Sequence, residues 1–536
     1  MLSVKNLSVA FGRGINKTTF VNDLTFQITK GKALGLSGES GCGKTITSLA
    51  ILQLMDKETS AVSGEVLFSD NSSTINLISA SEKTLQNIRG KDIAMIFQEP
   101  KSAFNPVIAC GKQIAEVMIK HEKLSYKDAF EKTLTLFEKV HLSNVKELFY
   151  RYPHELSGGQ LQRMAIAMAI SCNPQLLIAD EPTTALDVTT QKVILKLLKN
   201  IQQEYQMAML FISHDLKVIE HMTDRVLVMQ KGRIAEENNT NEIFKNPVSE
   251  YTKALIANQP SNLNLKLKKH HTEQQETLHP VIKVNNMTKR YPFHKSVWTW
   301  KKEYFEAVKN VSFELLPGET LGIAGESGSG KSTLARLILQ LIPSDNGEMF
   351  FNNDLIRFYH HTKNPSWRKK IQIVFQHPHH ALDPLMQVGK SIEEPLIAFE
   401  KFNDGERKAK VEDWLAKVGL TSQHYHRYPH ELSTGQKQRV CIARALIIQP
   451  DVVVFDEAVS ALDVSVQAQI LQLIAQLKDK TPFSSIFISH NLEVLRLVCD
   501  RLLIMRNGEI IEQGATEKIF DKPTSAYTQQ LIDSIL

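Results

Sequence analysis

The chain has 536 residues, 42% of them hydrophobic and 23% charged, with a formal net charge of +5 and a pI near 8.7. That length suffices for two or more domains with sizeable cores, and the composition excludes a disordered chain; with no apolar run near the roughly 18 residues of a membrane helix, neither a span nor a secretory leader is expected. The five cysteines, Cys42, Cys110, Cys172, Cys441 and Cys499, lack metal-ligand spacing and suit a reducing compartment, while the mild basicity does not decide between anionic lipid and nucleic acid.

In chain order, an apolar strand is predicted at 33–37, then the glycine-rich GESGCGKT at 38–45 and a helix. FQEPKSAFNP follows at 97–106, and RYPHELS at 151–157 leads through a glycine turn into the helical run LQRMAIAMAI. Residues 176–179 read as a buried strand ending in Asp180, with Glu181 next; TALD at 184–187 and FISHD, ending in Asp215, come after. IFKNPVSEYTKALI, from Ile243, closes the series, and the polar stretch 259–280 reads as a linker.

The whole series then recurs. A strand at 321–324 precedes GESGSGKS at 325–332, and FQHPHHALDP lies at 375–384. RYPHELS returns letter for letter at 427–433 before KQRVCIARALI, residues 452–455 form the strand before Asp456 and Glu457, and SALD, FISHN and IFDKPTSAYTQQLI complete the set. Asp180 and Asp456, His214 and His490, and Tyr251 and Tyr527 are each 276 positions apart; the offset is 278 for Gln98 and Gln376 and 287 for Lys44 and Lys331. Insertions therefore cluster early in each repeat, and the second copy carries seven extra residues around Trp298, within a basic stretch that also holds Trp300. Two domains, 1–258 and 281–536, are expected, each an α/β unit with a largely parallel sheet. The histidine pairs at 270 and 271, 360 and 361, and 379 and 380 read as solvated surface, because adjacent side chains point apart.

Both glycine-rich strings match the phosphate-loop pattern in its required strand–loop–helix setting. Gly38, Ser40, Gly41, Cys42 and Gly43, and likewise Gly325, Ser327, Gly328, Ser329 and Gly330, let backbone N–H groups converge on phosphate oxygens at a helix N-terminus. Lys44 and Lys331 are expected to reach the β- and γ-phosphates, and Thr45 and Ser332 to place a hydroxyl on Mg²⁺. Asp180 and Asp456, at strand ends, are expected to hold Mg²⁺ directly or through water. Glu181 and Glu457 are placed to polarise the attacking water, which supplies most of what phosphoryl transfer requires. Cys42, inside the first loop, reads as a small residue filling it.

On these residues the chain resembles an ATP-binding-cassette ATPase with both nucleotide-binding domains fused. LSGGQ, with Ser157, Gly158, Gly159 and Gln160, and LSTGQ, with Ser433, Thr434, Gly435 and Gln436, resemble the family signature; TALD and SALD resemble its D-loop. The resemblance implies two tandem P-loop domains, each with a RecA-like core, a β subdomain and a helical signature subdomain. It also implies switch histidines at His214 and His490, Q-loop glutamines that contact metal at Gln98 and Gln376, and adenine-stacking aromatics at Phe11 and Tyr291. The family's head-to-tail dimer implies that each ATP lies between the phosphate loop of one repeat and the signature of the other. Closure around ATP and reopening after hydrolysis then make a two-state switch.

FQEPKSAFNP and FQHPHHALDP resemble a segment of peptide and nickel importer ATPases, and the IF-x-x-P-x-x-x-YT endings point the same way. Tandem fusion is similar to the single-chain ATPases of glutathione and microcin C-type peptide importers, the microcin C type being the nearer resemblance. Two transmembrane permease subunits, an extracytoplasmic solute-binding protein acting indirectly, and a place on the cytoplasmic face of the inner membrane follow as expectations. With no cysteine after Cys499 and none in the linker, the iron–sulfur cluster of some relatives is not expected, nor is nucleic acid. A soluble tandem ATPase acting on ribosomes, and an exporter ATPase, remain the alternatives; the long charged linker of the former is missing. Two departures distinguish the copies: Thr434 stands where the first has Gly158, and Ala458 and Val459 stand where it has Pro182 and Thr183.

Overall fold

A computed structural model describes residues 1–12, 17–70, 73–183, 186–263, 279–293, 303–356, 366–460 and 462–535. The D-loop residue Thr184, most of the 259–280 linker, Trp298 and Trp300, and the histidine pairs at 270–271 and 360–361 lie outside the described residues. Two compact units divide the chain, Met1–Ala257 and Asn258–Ile535. The start of the linker stretch belongs to the second: Gln259 is buried, and the 3-10 turn Pro260–Asn262 lies against the helix Leu492–Val498.

Among the described residues each unit contains one four-stranded and one six-stranded sheet. In the first unit the smaller sheet is antiparallel, ordered Thr18–Ile28, Leu2–Phe11, Ser60–Ser69, Thr74–Asn76. The larger runs Arg233–Asn239, Arg225–Gln230, Ala33–Ser37, Ala208–Ile212, Leu176–Asp180, Ile93–Ile96, and is parallel except for its first strand. The second unit repeats both orders, its six-stranded sheet being Ile371–Val374, Val452–Asp456, Ser484–Ile488, Thr320–Ala324, Arg501–Arg506, Glu509–Ala515.

The central strands are buried and largely apolar because both faces of this sheet are covered. Along Ala208–Ile212, residues 208, 210 and 212 join the core shared with the antiparallel sheet and the helix Lys44–Ile51, whereas Met209 and Phe211 join the core of the helical side. Cys110–Glu122, Tyr126–Lys139 and Gly158–Ile170 build that helical side in the first unit; Val388–Phe399, Asp404–Lys417 and Thr434–Leu446 build it in the second. All five cysteines are free and buried. No helix among the described residues is long and apolar enough to cross a membrane.

Candidate functional site: two duplicated phosphate sites

Each phosphate loop leaves the C-terminal end of a central parallel strand, where an open α/β sheet presents its binding crevice. Ala33–Ser37 is flanked by Ala208–Ile212 and Arg225–Gln230, and the loop ends at the helix Lys44–Ile51; Thr320–Ala324 and Lys331–Ile338 repeat this. The loop cannot begin with any residue but glycine. Gly38 and Gly325 both have φ 150°, and a Cβ there would lie 2.3 Å from the carbonyl oxygen of Met229 or Met505. Lys44 and Lys331 are buried, and each ammonium donates to the carbonyls of the first two loop residues, at 2.7 and 2.9 Å in the first unit and 2.7 and 2.8 Å in the second. Thr45 and Ser332, one residue on, are exposed.

The acidic residues follow from the neighbouring strand, Leu176–Asp180 or Val452–Asp456, which takes in the aspartate as its last residue. Asp180 is 1% exposed, and neither of its carboxylate oxygens has a hydrogen-bond partner of good geometry among the described residues. Burial pushes its carboxyl up to about 6, helped by the charge of Glu181 and opposed by the nearby Thr45 hydroxyl and Lys44 ammonium. Asp456 likewise has one buried oxygen without a partner, and burial together with Glu457 raises its carboxyl above the usual carboxylate range. A buried, unpartnered carboxylate is costly to ionise. A divalent cation removes that cost, so these residues fit the magnesium nucleotide that the sequence motifs imply.

Glu181 and Glu457 each turn the chain sharply out of the strand, with φ 46°. That conformation is rare for a residue with a side chain and costs of order 1–3 kcal/mol. Each amide donates to the next strand over, at Ile212 or Ile488 O, 2.9 Å away in both units. The side chains are held from two sides. Gln98 Nε2 donates to Glu181 Oε2 at 3.0 Å and His214 Nδ1 lies 3.0 Å from Glu181 Oε1; Gln376 Nε2 donates to Glu457 Oε2 at 2.7 Å and His490 Nδ1 lies 3.3 Å from the same oxygen. Burial works to raise the Glu457 carboxyl, yet the His490 contact and the Lys331 charge hold it below its ordinary value. With its amide nitrogen turned to the glutamate, each glutamine keeps its carbonyl oxygen as the atom able to ligate a cation.

The signature serine and glutamine are engaged with one another. Ser157 Oγ accepts from Gln160 N–H at 3.3 Å while Gln160 Oε1 accepts from Ser157 N–H at 3.1 Å; Ser433 and Gln436 repeat the box at 3.3 and 3.0 Å. What the helix start offers a ligand is therefore the N–H groups of its first two residues, Gly158 and Gly159 or Thr434 and Gly435, which have no intrahelical acceptor. Thr434 is the first residue of its helix, and at the equivalent Gly158 an added Cβ would meet nothing nearer than Leu186 at 3.9 Å. The next glycine is the constrained one: a Cβ on Gly159 would lie 2.9 Å from Thr190 Cγ2, and on Gly435 2.6 Å from Val466 Cγ1.

Phe11 ends the strand Leu2–Phe11 and packs edge-on against Phe20, with ring centroids 5.3 Å apart; Phe20 is 41% exposed. The backbone of Phe20 borders the phosphate loop, its carbonyl oxygen lying 3.1 Å from where a Cβ on Gly43 would be. Tyr291 is 37% exposed, with Lys289 Nζ 5.7 Å from its ring. Sequence reasoning did not single out Phe20, which has no aromatic counterpart at the matching Ala307. It also passed over Gln162, whose amide donates to Pro182 O at 2.6 Å, and its counterpart Gln438, whose two amide atoms are fully buried and have no partner among the described residues.

A family profile described as "ABC transporter" matches residues 21–184 and again 308–460, more than half of the chain. The chain belongs to this family, and its two units are tandem ATP-binding cassettes of the P-loop ATPase class. A second profile, "Oligopeptide/dipeptide transporter, C-terminal region", matches residues 235–283 and 511–536. Relatives include the glutathione import ATP-binding protein GsiA of Pectobacterium atrosepticum, 40% identical over all of this chain and 89% of its own length, and that of Escherichia coli K12, 39% identical with the same coverage. Among solved structures, the dimeric post-hydrolysis state of the cassette MJ0796 bound to ADP and Pi is 30% identical, covering 44% of this chain and 98% of its own, with a TM-score of 0.39. CbiO1 from Clostridium perfringens is 27% identical over 45% of this chain and 91% of its own, also at a TM-score of 0.39.

Proposed function

We propose that this chain is the ATP-hydrolysing subunit that energises a membrane importer of peptides or peptide-like compounds, glutathione among them. The observation that carries the reading is the duplicated constellation: a lysine-anchored phosphate loop, a buried unpartnered aspartate, and a glutamate gripped by a glutamine and a histidine, all in a chain whose C-terminal stretches match the oligopeptide transporter profile. Magnesium, when bound, neutralises developing phosphate charge, and Thr45, Gln98 and Asp180, or Ser332, Gln376 and Asp456, are the residues that would hold it. Glu181 and Glu457 orient and deprotonate the attacking water, and His214 and His490 keep those carboxylates aimed.

Two permease subunits, with a solute-binding protein outside, receive the work of closure at the cytoplasmic face of the membrane. Purification from membranes is expected to co-isolate two permease polypeptides; recovery with ribosomal subunits and no permease would refute the assignment. The departures at Thr434, Ala458 and Val459 are expected to make the sites unequal. Glu181→Gln and Glu457→Gln should then leave different residual ATPase rates, and equal rates would count against inequality.

A further inference from the structure

Each cassette closes on a helix whose tyrosine reaches back to the phosphate loop. Tyr251 lies on Glu250–Ala257 and Tyr527 on Ala526–Asp533, both within the stretches matched by the oligopeptide C-terminal profile. Tyr251 Oη accepts from the Glu39 N–H at 3.2 Å, and Tyr527 Oη from the Glu326 N–H, also at 3.2 Å. The approach of each helix is set just upstream. Glu236 accepts from the Val248 and Ser249 N–H groups at 2.9 and 3.0 Å, and Glu512 from those of Thr524 and Ser525 at 2.8 and 3.1 Å. These acceptors sit on Arg233–Asn239 and Glu509–Ala515, the edge strands of the two six-stranded sheets.

The amide held by the tyrosine belongs to the peptide unit whose carbonyl, Gly38 or Gly325 O, accepts from Lys44 or Lys331 at 2.7 Å. A trans peptide is a rigid plate with its N–H and C=O pointing in opposite directions. Tyrosine on one edge and lysine on the other therefore fix the orientation of a single plate, and each bond polarises the other. The plate cannot slide away, since the glycine at its start already lies against the Met229 or Met505 carbonyl. Lysine position at the mouth of the phosphate loop is thus tied, through one peptide, to the C-terminal helix.

We propose that Tyr251 and Tyr527 are positioning residues for ATP, and that the C-terminal segment of each cassette sets the affinity of its phosphate loop. The inference rests on the reading of the two loops as nucleotide sites. Its test is steady-state ATP hydrolysis by the full chain carrying Tyr251→Phe, Tyr527→Phe or both, changes that remove one oxygen and keep the ring. The double variant is expected to raise the KM for ATP about three- to ten-fold, the equivalent of one neutral hydrogen bond per site, with kcat and the nucleotide-free melting midpoint held. An unmoved KM would overturn the inference, and so would a KM that rises only in step with a falling midpoint, which marks a purely structural contact. A wild-type chain with no saturable ATP hydrolysis would instead overturn the nucleotide reading itself, and this inference with it.

Discussion

Gln162 and Gln438 occupy the same position in the two signature helices, and replacing each by methionine should move stability in opposite directions. Gln162 is 2% exposed and donates to the Pro182 carbonyl at 2.6 Å, so Gln162→Met loses that bond and strands the carbonyl, at about 1–2 kcal/mol. Gln438 is 0% exposed with both amide atoms unpartnered among the described residues, and the second copy has Ala458 at the position matching Pro182. A buried amide without partners costs about 1–3 kcal/mol, and an imperfect methionine fit returns the lower part of that range. Helix propensity cancels, because the two residue types rank together. For units of this size, about 2–4 °C per kcal/mol, Gln162→Met should lower its unit's midpoint by about 2–8 °C and Gln438→Met should raise its own by a similar amount. The chain supplies its own reporter, since Trp298, Trp300, Trp367 and Trp414 all lie in the second copy. Tryptophan fluorescence therefore follows the second unit alone, while far-ultraviolet circular dichroism follows both. A Gln438→Met chain whose fluorescence midpoint falls would refute the reasoning, because it would mean that the amide is satisfied.

The two signature glycines should separate in the same melts: Gly159→Ala and Gly435→Ala meet neighbours at 2.9 and 2.6 Å and should cost about 1–3 kcal/mol, whereas Gly158→Thr should leave the midpoint nearly unchanged. A buried polar set in the second unit gives a pH signature. Glu393, 1% exposed, accepts from Lys390 and Arg407, each at 2.7 Å, and from Tyr425 Oη at 3.5 Å. Burial works to raise its carboxyl, but Lys390 and Arg407 hold it below the ordinary value. A depressed folded value gives stability that is present above the unfolded glutamate value of about 4.3 and lost as pH falls through the folded one. Glu393→Ala should therefore lower the fluorescence midpoint by several degrees at neutral pH and shrink that difference in acid; a constant difference across pH would contradict it.

The duplicated motifs made the sites legible because phosphate chemistry demands fixed residue types at fixed spacing: strand, loop, lysine, then an aspartate at the end of the neighbouring strand. The Gln98–Glu181–His214 grouping could be expected only from the family resemblance, since its members come from three separate segments. The left-handed backbone at Glu181 and Glu457 carries no sequence signal at all, as glutamate ordinarily avoids that region. Tyr251 and Tyr527 stood out as a repeated ending, but their contact with the loop depends on how the last helix folds back over 212 positions of chain in the first unit, and 201 in the second. Thr434 is the visible departure in the second signature, yet the close packing belongs to the glycine after it.

The buried set around Glu393 also bears on how a duplicated chain keeps its halves distinct. At the positions matching Glu393, Arg407 and Tyr425, the first copy has Ala115, Ala129 and Phe149, and all three are fully buried. Each trio is self-consistent and mixing weakens it: a carboxylate opposite Ala129 would keep Lys390 but lose Arg407, and a guanidinium opposite Ala115 would keep Asp404 but lose its buried partner. Gene conversion or unequal crossover between the repeats, with a breakpoint falling inside this region, yields such hybrids and penalises them at the level of folding. At this trio the two copies, though both match one family profile, are no longer interchangeable parts.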